Sequence, residues 1–145
     1  MKFRMVLIAS AATLFLGAGL SPADAGGSKV FLEQYGAHNN FGSSQSGRKN
    51  RITVYQNGYA NDALSSQYGK HNRAVIGQEG KFNYADTWQN GRHNIVGVAQ
   101  FGKGHTAITS QDGHGNAIGV IQAGRGNHAD VTQVGRGNVS VIIQD

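Results

Sequence analysis

Glutamine stands at every eleventh position over most of this chain: Gln34, Gln45, Gln56, Gln67, Gln78, Gln89, Gln100, Gln111, Gln122, Gln133 and Gln144. Glycine follows two residues later, at Gly36, Gly47, Gly58, Gly69, Gly80, Gly91, Gly102, Gly113, Gly124 and Gly135. Asparagine stands five after the glutamine, at Asn39, Asn50, Asn61, Asn72, Asn83, Asn94, Asn116, Asn127 and Asn138, with His105 in the remaining place. Average residue usage does not generate so unbroken a register, so the fold must repeat one small unit.

Two structures have an 11-residue period. A right-handed helical supercoil, at 3.67 residues per turn, is one. It would place a glycine in every third turn, each costing about 0.8–1 kcal/mol against alanine, and the chain offers no apolar stripe at helical spacing. A strand followed by a tight turn is the other. Asn50, Ile52, Val54 and Gln56 share one parity, so an extended chain directs all four to one face. The same class holds Asn72, Ala74, Ile76 and Gln78, then Asn94, Val96, Val98 and Gln100, then Asn116, Ile118, Val120 and Gln122. Each unit reads as about seven strand residues and four turn residues, with the repeating glycine in the turn, where φ > 0 carries no steric cost.

A single strand cannot bury its apolar side chains, but two strands back to back can. Alternate units then form one coil of 22 residues, and equivalent residues stack at the ~4.8 Å strand spacing. The expected fold is all-β: a β-solenoid of about five two-strand coils, amyloid-like, with strands stacking in parallel. Strands ending at Gln56, Gln78, Gln100 and Gln122 direct Ile52, Val54, Ile76, Val96, Val98, Ile118 and Val120 inward. Strands ending at Gln67, Gln89, Gln111 and Gln133 direct in Ala63, Ser65, Ala85, Thr87, Ala107, Thr109, Ala129 and Val131. Bulky residues thus face small ones across a flat core. Inward glutamine and asparagine need partners, because a buried unpaired amide costs roughly 1–3 kcal/mol. Stacked in register, each amide donates to one neighbour and accepts from the other, so both residue types are expected to form ladders.

The first 25 residues read as a secretory signal. Lys2 and Arg4 precede an uncharged apolar run from Val6 to Leu20, and Ala23-Asp24-Ala25 has the small-x-small pattern of a cleavage site. The run is shorter than the ~20 residues that span a bilayer. Residues 1–25 are therefore expected to be removed, leaving 26–145 as the solenoid. Loss of Lys2, Arg4 and Asp24 from 13 basic and 8 acidic residues leaves 11 and 7, so the exported chain stays basic. With no cysteine, disulfides and thiolate metal or redox chemistry are excluded.

The pattern Gln-x-Gly-x-x-Asn-x-Ala-x-x-x-Gln, intact from Gln56 to Gln67, Gln67 to Gln78, Gln78 to Gln89 and Gln122 to Gln133, resembles the curlin repeat. The alanine place is Phe41, Ile52, Val96, Ile118 or Ser140 in other units. The resemblance implies a secreted, non-enzymatic subunit of extracellular curli-type amyloid fibres, serving cell adhesion and the biofilm matrix. It also implies export through a dedicated outer-membrane channel with accessory factors, self-polymerisation, and a second curlin-type subunit as partner. Major and minor, nucleating subunits remain alternatives. The last strand, Val139 to Gln144, shows no polar cap, and the open ends are expected to template further copies.

Seven basic residues follow the repeating glycine directly: Arg48, Lys70, Lys81, Arg92, Lys103, Arg125 and Arg136. Arg48, Lys70, Arg92 and Arg136 fall on one edge, with His114 filling the gap; Lys81, Lys103 and Arg125 fall on the other. Stacked like charges gather counter-anions, so these edges are candidate binding sites for DNA, lipopolysaccharide or acidic polysaccharide. Equally, they could simply keep fibres apart. Other chemistry has weaker support, and no cofactor, metal or small-molecule substrate is expected. Asp86 and Asp130 share one outward place two coils apart, near the spacing of an inverting glycosidase pair, but lack a groove and a third group. His71 and His93 would stack beside Lys70 and Arg92, a poor cation site. Ranks of outward threonine, as an ice-binding face requires, are missing.

Overall fold

The computed structural model describes residues 26–145, and the signal segment expected at 1–25 lies outside them. Eleven strands follow one another: β1 (Lys29–Ala37), β2 (Asn40–Arg48), β3 (Arg51–Tyr59), β4 (Asp62–Lys70), β5 (Arg73–Lys81), β6 (Tyr84–Arg92), β7 (Ile95–Lys103), β8 (Thr106–His114), β9 (Ala117–Arg125), β10 (His128–Arg136) and β11 (Val139–Gln144). Odd-numbered strands form a six-stranded sheet in the order β1-β3-β5-β7-β9-β11. Even-numbered strands form a five-stranded sheet, β10-β8-β6-β4-β2. Every pairing is parallel and joins residues 22 apart, as in Gln56↔Gln78 and Gln67↔Gln89. The chain is a β-solenoid of about five coils.

Alternation does the packing. Along β3 the buried residues are Ile52, Val54 and Gln56, and along β4 they are Ala63, Ser65 and Gln67. The core is one continuous file of such residues, with Ile52, Val54, Ala74, Ile76, Val96 and Val98 from the larger sheet nearly inaccessible. Alanines 63, 85, 107 and 129 face them from the smaller sheet. Full burial of each Ile or Val contributes about 1.5–3 kcal/mol, and the repeat applies that gain once per coil.

The strands are longer and the turns shorter than the sequence suggests. β1 to β10 have nine residues each, leaving two residues, such as Ala60 and Asn61, to reverse the chain. The repeating glycine lies inside the strand. Gly58, at φ 134°, keeps the chain extended, so pairing continues through Tyr59↔Lys81. The sharp reversal comes two residues later, at a residue in the left-handed region. His38, Lys49, Ala60, His71, Phe82 and His93 occupy it with φ of 52–59°, and Gly104, Gly115, Gly126 and Gly137 with φ of 68–70°. The left-handed conformation costs a residue with a Cβ roughly 1–2 kcal/mol, which glycine avoids.

Candidate functional site: amide ladders and turn edges

Two glutamine files run the length of the solenoid. In the larger sheet, Gln34 Nε2 donates to Gln56 Oε1 at 2.6 Å, Gln56 to Gln78 at 2.8 Å, and Gln78 to Gln100, Gln100 to Gln122 and Gln122 to Gln144 at 2.9 Å. In the smaller sheet the file runs Gln45, Gln67, Gln89, Gln111, Gln133 over 2.7–3.0 Å. All the donors point the same way, so the ladders are polar. From Gln45 onward the second N–H of each amide crosses between the sheets: Gln56 to Asn40 O at 2.9 Å, Gln78 to Asp62 O at 2.8 Å, Gln89 to Arg73 O at 3.1 Å. A glutamine therefore ties coil to coil and sheet to sheet at once. The crossing bond has no signature in the period.

The asparagines form a different device from the side-chain ladder expected of them. Asn72 Nδ2 donates to Tyr68 O at 2.9 Å within its own turn and to Gly91 O at 3.2 Å in the coil above. Its backbone N–H donates to Asn50 Oδ1 at 3.1 Å in the coil below. The same set recurs at Asn83, Asn94 and Asn116, and at Asn50 with Ser28 Oγ as the acceptor of its backbone N–H. Among the described file members only Asn61 Nδ2 reaches another side chain of the file, Asn39 Oδ1 at 3.1 Å. The asparagine ends the two-residue turn, and its short amide meets the backbone of the next coil, accepting from the N–H 22 residues along, rather than the next side-chain amide. Asn at a turn was the signal for this role.

His105 shows what the clamp needs. Its Nδ1 accepts the Asn127 N–H at 3.2 Å, as an asparagine Oδ1 would, so the neutral ring carries its proton at Nε2, 3.1 Å from Phe101 O. One ring N–H replaces the two of an amide, and the bond to the glycine carbonyl of the next coil is dropped. Among the described residues no buried side-chain nitrogen or oxygen lacks a partner.

The glycine rung is a close approach of backbones. A Cβ on Gly58 would fall on the carbonyl of Gly80, and the same collision recurs from Gly36 to Gly113 at each repeating glycine. Gly124 and Gly135 meet no such carbonyl among the described residues, yet keep φ of 87° and 111°.

The turn edges differ. One aligns Arg48, Lys70, Arg92, His114 and Arg136 in register. Beside them the rings of His71 and His93 stack at 4.8 Å, 8° from parallel, and His93 meets His114 at 5.4 Å. The His71 imidazolium is disfavoured, first by partial desolvation and then by the positive fields of His93, Lys49 and Lys70. The other edge is aromatic at one end, where Tyr59 contacts His38 and Phe82, and basic at the other, with Lys81, Lys103 and Arg125 in register. Lys103 Nζ lies 5.8 Å from the centre of the Phe82 ring.

On the outside of the smaller sheet, Ile108 separates Asp86 from Asp130 in register. Desolvation pushes both Asp62 and Asp86 up from the usual carboxyl range; the Asp62 charge adds to the effect at Asp86, and the Asn40 amide offsets part of it at Asp62. Among the described residues no three His, Cys, Asp or Glu gather as metal ligands would.

These features define a class: a parallel β-solenoid whose polar interior is hydrogen-bonded along the stacking axis. Within it, the family model for the curlin associated repeat matches residues 47–80 and 106–135. The chain carries the curlin associated repeat over these two stretches, a repeat of curli-type fibre subunits, which are a structural rather than an enzymatic family. No curated protein and no solved structure matches it.

Proposed function

We propose that the chain is a secreted subunit of an extracellular, curli-type amyloid fibre that serves cell adhesion and biofilm matrix assembly. Copies join through their end coils. The observation that carries this reading is the polarity of the ladders. At one end Gln34 and Gln45 present Oε1 atoms to which no described residue donates; at the other, Gln144 keeps one Nε2 N–H beyond its bond to His128 O, while Gln133 directs both of its own to Ala117 O and Ser140 Oγ. The outer edges of β1, β2, β10 and β11 likewise carry strand backbone that no described strand covers. Head-to-tail contact lets Gln144 donate to Gln34 of the next copy and lets the open strand edges pair, whereas like ends oppose donor to donor or acceptor to acceptor. A head-to-tail contact that does not close on itself grows into a filament. Residues 26–145, purified and held at neutral pH, are expected to become dye-positive fibres with ~4.7 Å meridional and ~10 Å equatorial diffraction. Protein that stays monomeric and dye-negative over days overturns the reading.

Bulk subunit and nucleator are the two roles open within it, with an outer-membrane export channel, accessory factors and a second curlin-type subunit as partners. Substoichiometric amounts that abolish the lag of that second subunit assign nucleation.

A second reading rests on the aligned basic files. Arg48, Lys70, Arg92 and Arg136 on one edge, and Lys81, Lys103 and Arg125 on the other, repeat at the strand spacing, as a polyanion's charges require. DNA or acidic polysaccharide captured by fibres and released as salt rises supports it. Capture unchanged after neutral substitution at the seven positions removes it.

A further inference from the structure

The outer face of the larger sheet carries glycines that the backbone does not need. Gly77, Gly97 and Gly119 lie in β5, β7 and β9 with no left-handed φ, and an added Cβ would meet nothing closer than 3.9 Å. Glycine within a strand weakens it by roughly 0.5–1 kcal/mol relative to alanine and often marks close approach of another backbone or a ligand. Gly97 and Gly119 form the floor of an open apolar groove of about 300 Å³, which Val75, Ala99 and Ile121 also line. Val75, Ile95, Phe101, Ile121, Val141 and Ile143 around it are 40–71% exposed.

We infer that this face pairs with the same face of a second copy, about a twofold axis parallel to the direction of coil stacking. The inference rests on the fibre reading above and adds which surface joins fibres side by side. Such an axis sets each rung against itself with strand direction reversed. In β5, Val75 then faces Gly77 of the second copy. In β7, Ala99 faces Gly97, and in β9, Ile121 faces Gly119. Each larger side chain meets a glycine. Ile95 and Phe101 close the flanks of β7, and at β11 the apolar Val141 meets Ile143. The same operation sets Arg73 against Glu79, twice per rung. Among the described residues neither has an opposite charge beside it in the neighbouring strands: Arg73 is flanked in register by Arg51 and Ile95, and Glu79 by Asn57 and Phe101. Glycine floor, apolar knobs and charge pair all fit one operation.

The opposite face of the solenoid does not offer this. Its outward residues include Asp62, Asp86, Asp112 and Asp130, with Arg48, Lys70, Arg92 and Arg136 at the exposed ends of its strands. That face has neither a run of glycines nor an opposite-charge pair that the same operation would bring together, so pairing stops at two columns.

Size decides when pairing occurs. The face from β5 to β11 covers roughly 400 Å², from ~4.8 Å between strands and ~3.3 Å per residue. A stable complex buries about 800 Å² per partner, so two isolated subunits do not pair. Stacked larger sheet on larger sheet, as a Gln144-to-Gln34 contact requires, a fibre repeats the patch with every subunit, and the contacts add.

The test measures mass per unit length of fibres by electron scattering. One column of 22-residue coils at ~4.8 Å gives about 5 kDa/nm, and a pair gives about 10 kDa/nm. Fibres of the unaltered protein are expected at the paired value. Gly97→Lys, which has room for its side chain and sets two cations together near the axis, is expected to give fibres at the single value, a twofold loss. Arg73→Glu and Glu79→Arg are each expected to do the same, and the double variant to restore pairing. Gly97→Lys fibres that keep the paired value overturn the twofold contact, as does a single-column value for the unaltered protein. A value above twofold that grows with concentration shows open face-to-back stacking and also overturns it. Absence of fibres from the unaltered protein overturns the fibre reading, and the pairing with it.

Discussion

The larger sheet points Ile52, Ile76, Val98 and Val120 into the core and presents Val75, Ile95 and Ile121 outside, whereas the smaller sheet points in Ala63, Ala85, Ser65 and Thr87 and carries carboxylates outside. Both have the same backbone, register and glutamine file. What the backbone leaves free has been divided between them: one sheet supplies volume and an apolar outer face, and the other supplies close approach and a charged outer face. A flat core holds only so much volume per coil, so bulk on one side requires smallness on the other.

Truncation separates the sheets most. Ile76→Ala is expected to cost about 2–5 kcal/mol, because alanines opposite cannot move in to fill the space. Ser65→Ala, in the smaller sheet, loses only the Thr87 hydroxyl bond of 2.8 Å and is expected to cost about 0.5–1.5 kcal/mol. Equal urea midpoints for the two variants, taken on freshly desalted protein before fibres appear, would show that the division is false.

Enlargement reverses the roles. Ala85→Leu is expected to destabilise by about 1–3 kcal/mol through overpacking, while Ala74→Val, in the sheet where Val96 already stands in the next rung, is expected to change stability by less. Smaller again is the effect at the turn. His105→Asn restores the amide's second N–H and is expected to gain about 0.5–1.5 kcal/mol, read as a higher melting temperature. A loss there would mean the histidine ring packs in a way the amide cannot replace.

The smallest effect is the response to pH. Asp62 and Asp86 have folded-state pKa values raised above the ordinary 3.8, so the fold binds their protons more tightly than the unfolded chain does. Their penalty is present at neutral pH and is relieved as pH falls through the raised values. His71 acts oppositely. Its folded pKa lies below 6.5, so stability declines as pH drops below 6.5. Asp86→Asn is expected to raise stability at neutral pH and flatten the gain on acidification. A urea midpoint for this variant that still climbs as steeply towards pH 4 would place the carboxyl effect elsewhere.

The period of eleven, the pairing of residues 22 apart and the inward set from Ile52 to Val131 were legible in the sequence alone. Strand parity fixes which side chains share a face, and repetition fixes which residues align. The partner of each polar group was not legible, because it depends on how far and in what direction one coil lies from the next. Gln78 is long enough to reach Gln100; Asn72, anchored at the turn, meets backbone instead. Nor does periodicity distinguish a glycine that turns the chain from one, like Gly58, that lets two backbones touch. Only the tertiary structure, by stacking carbonyl over glycine and valine beside an empty rung, decided which positions hold the coil together and which face outward for another molecule.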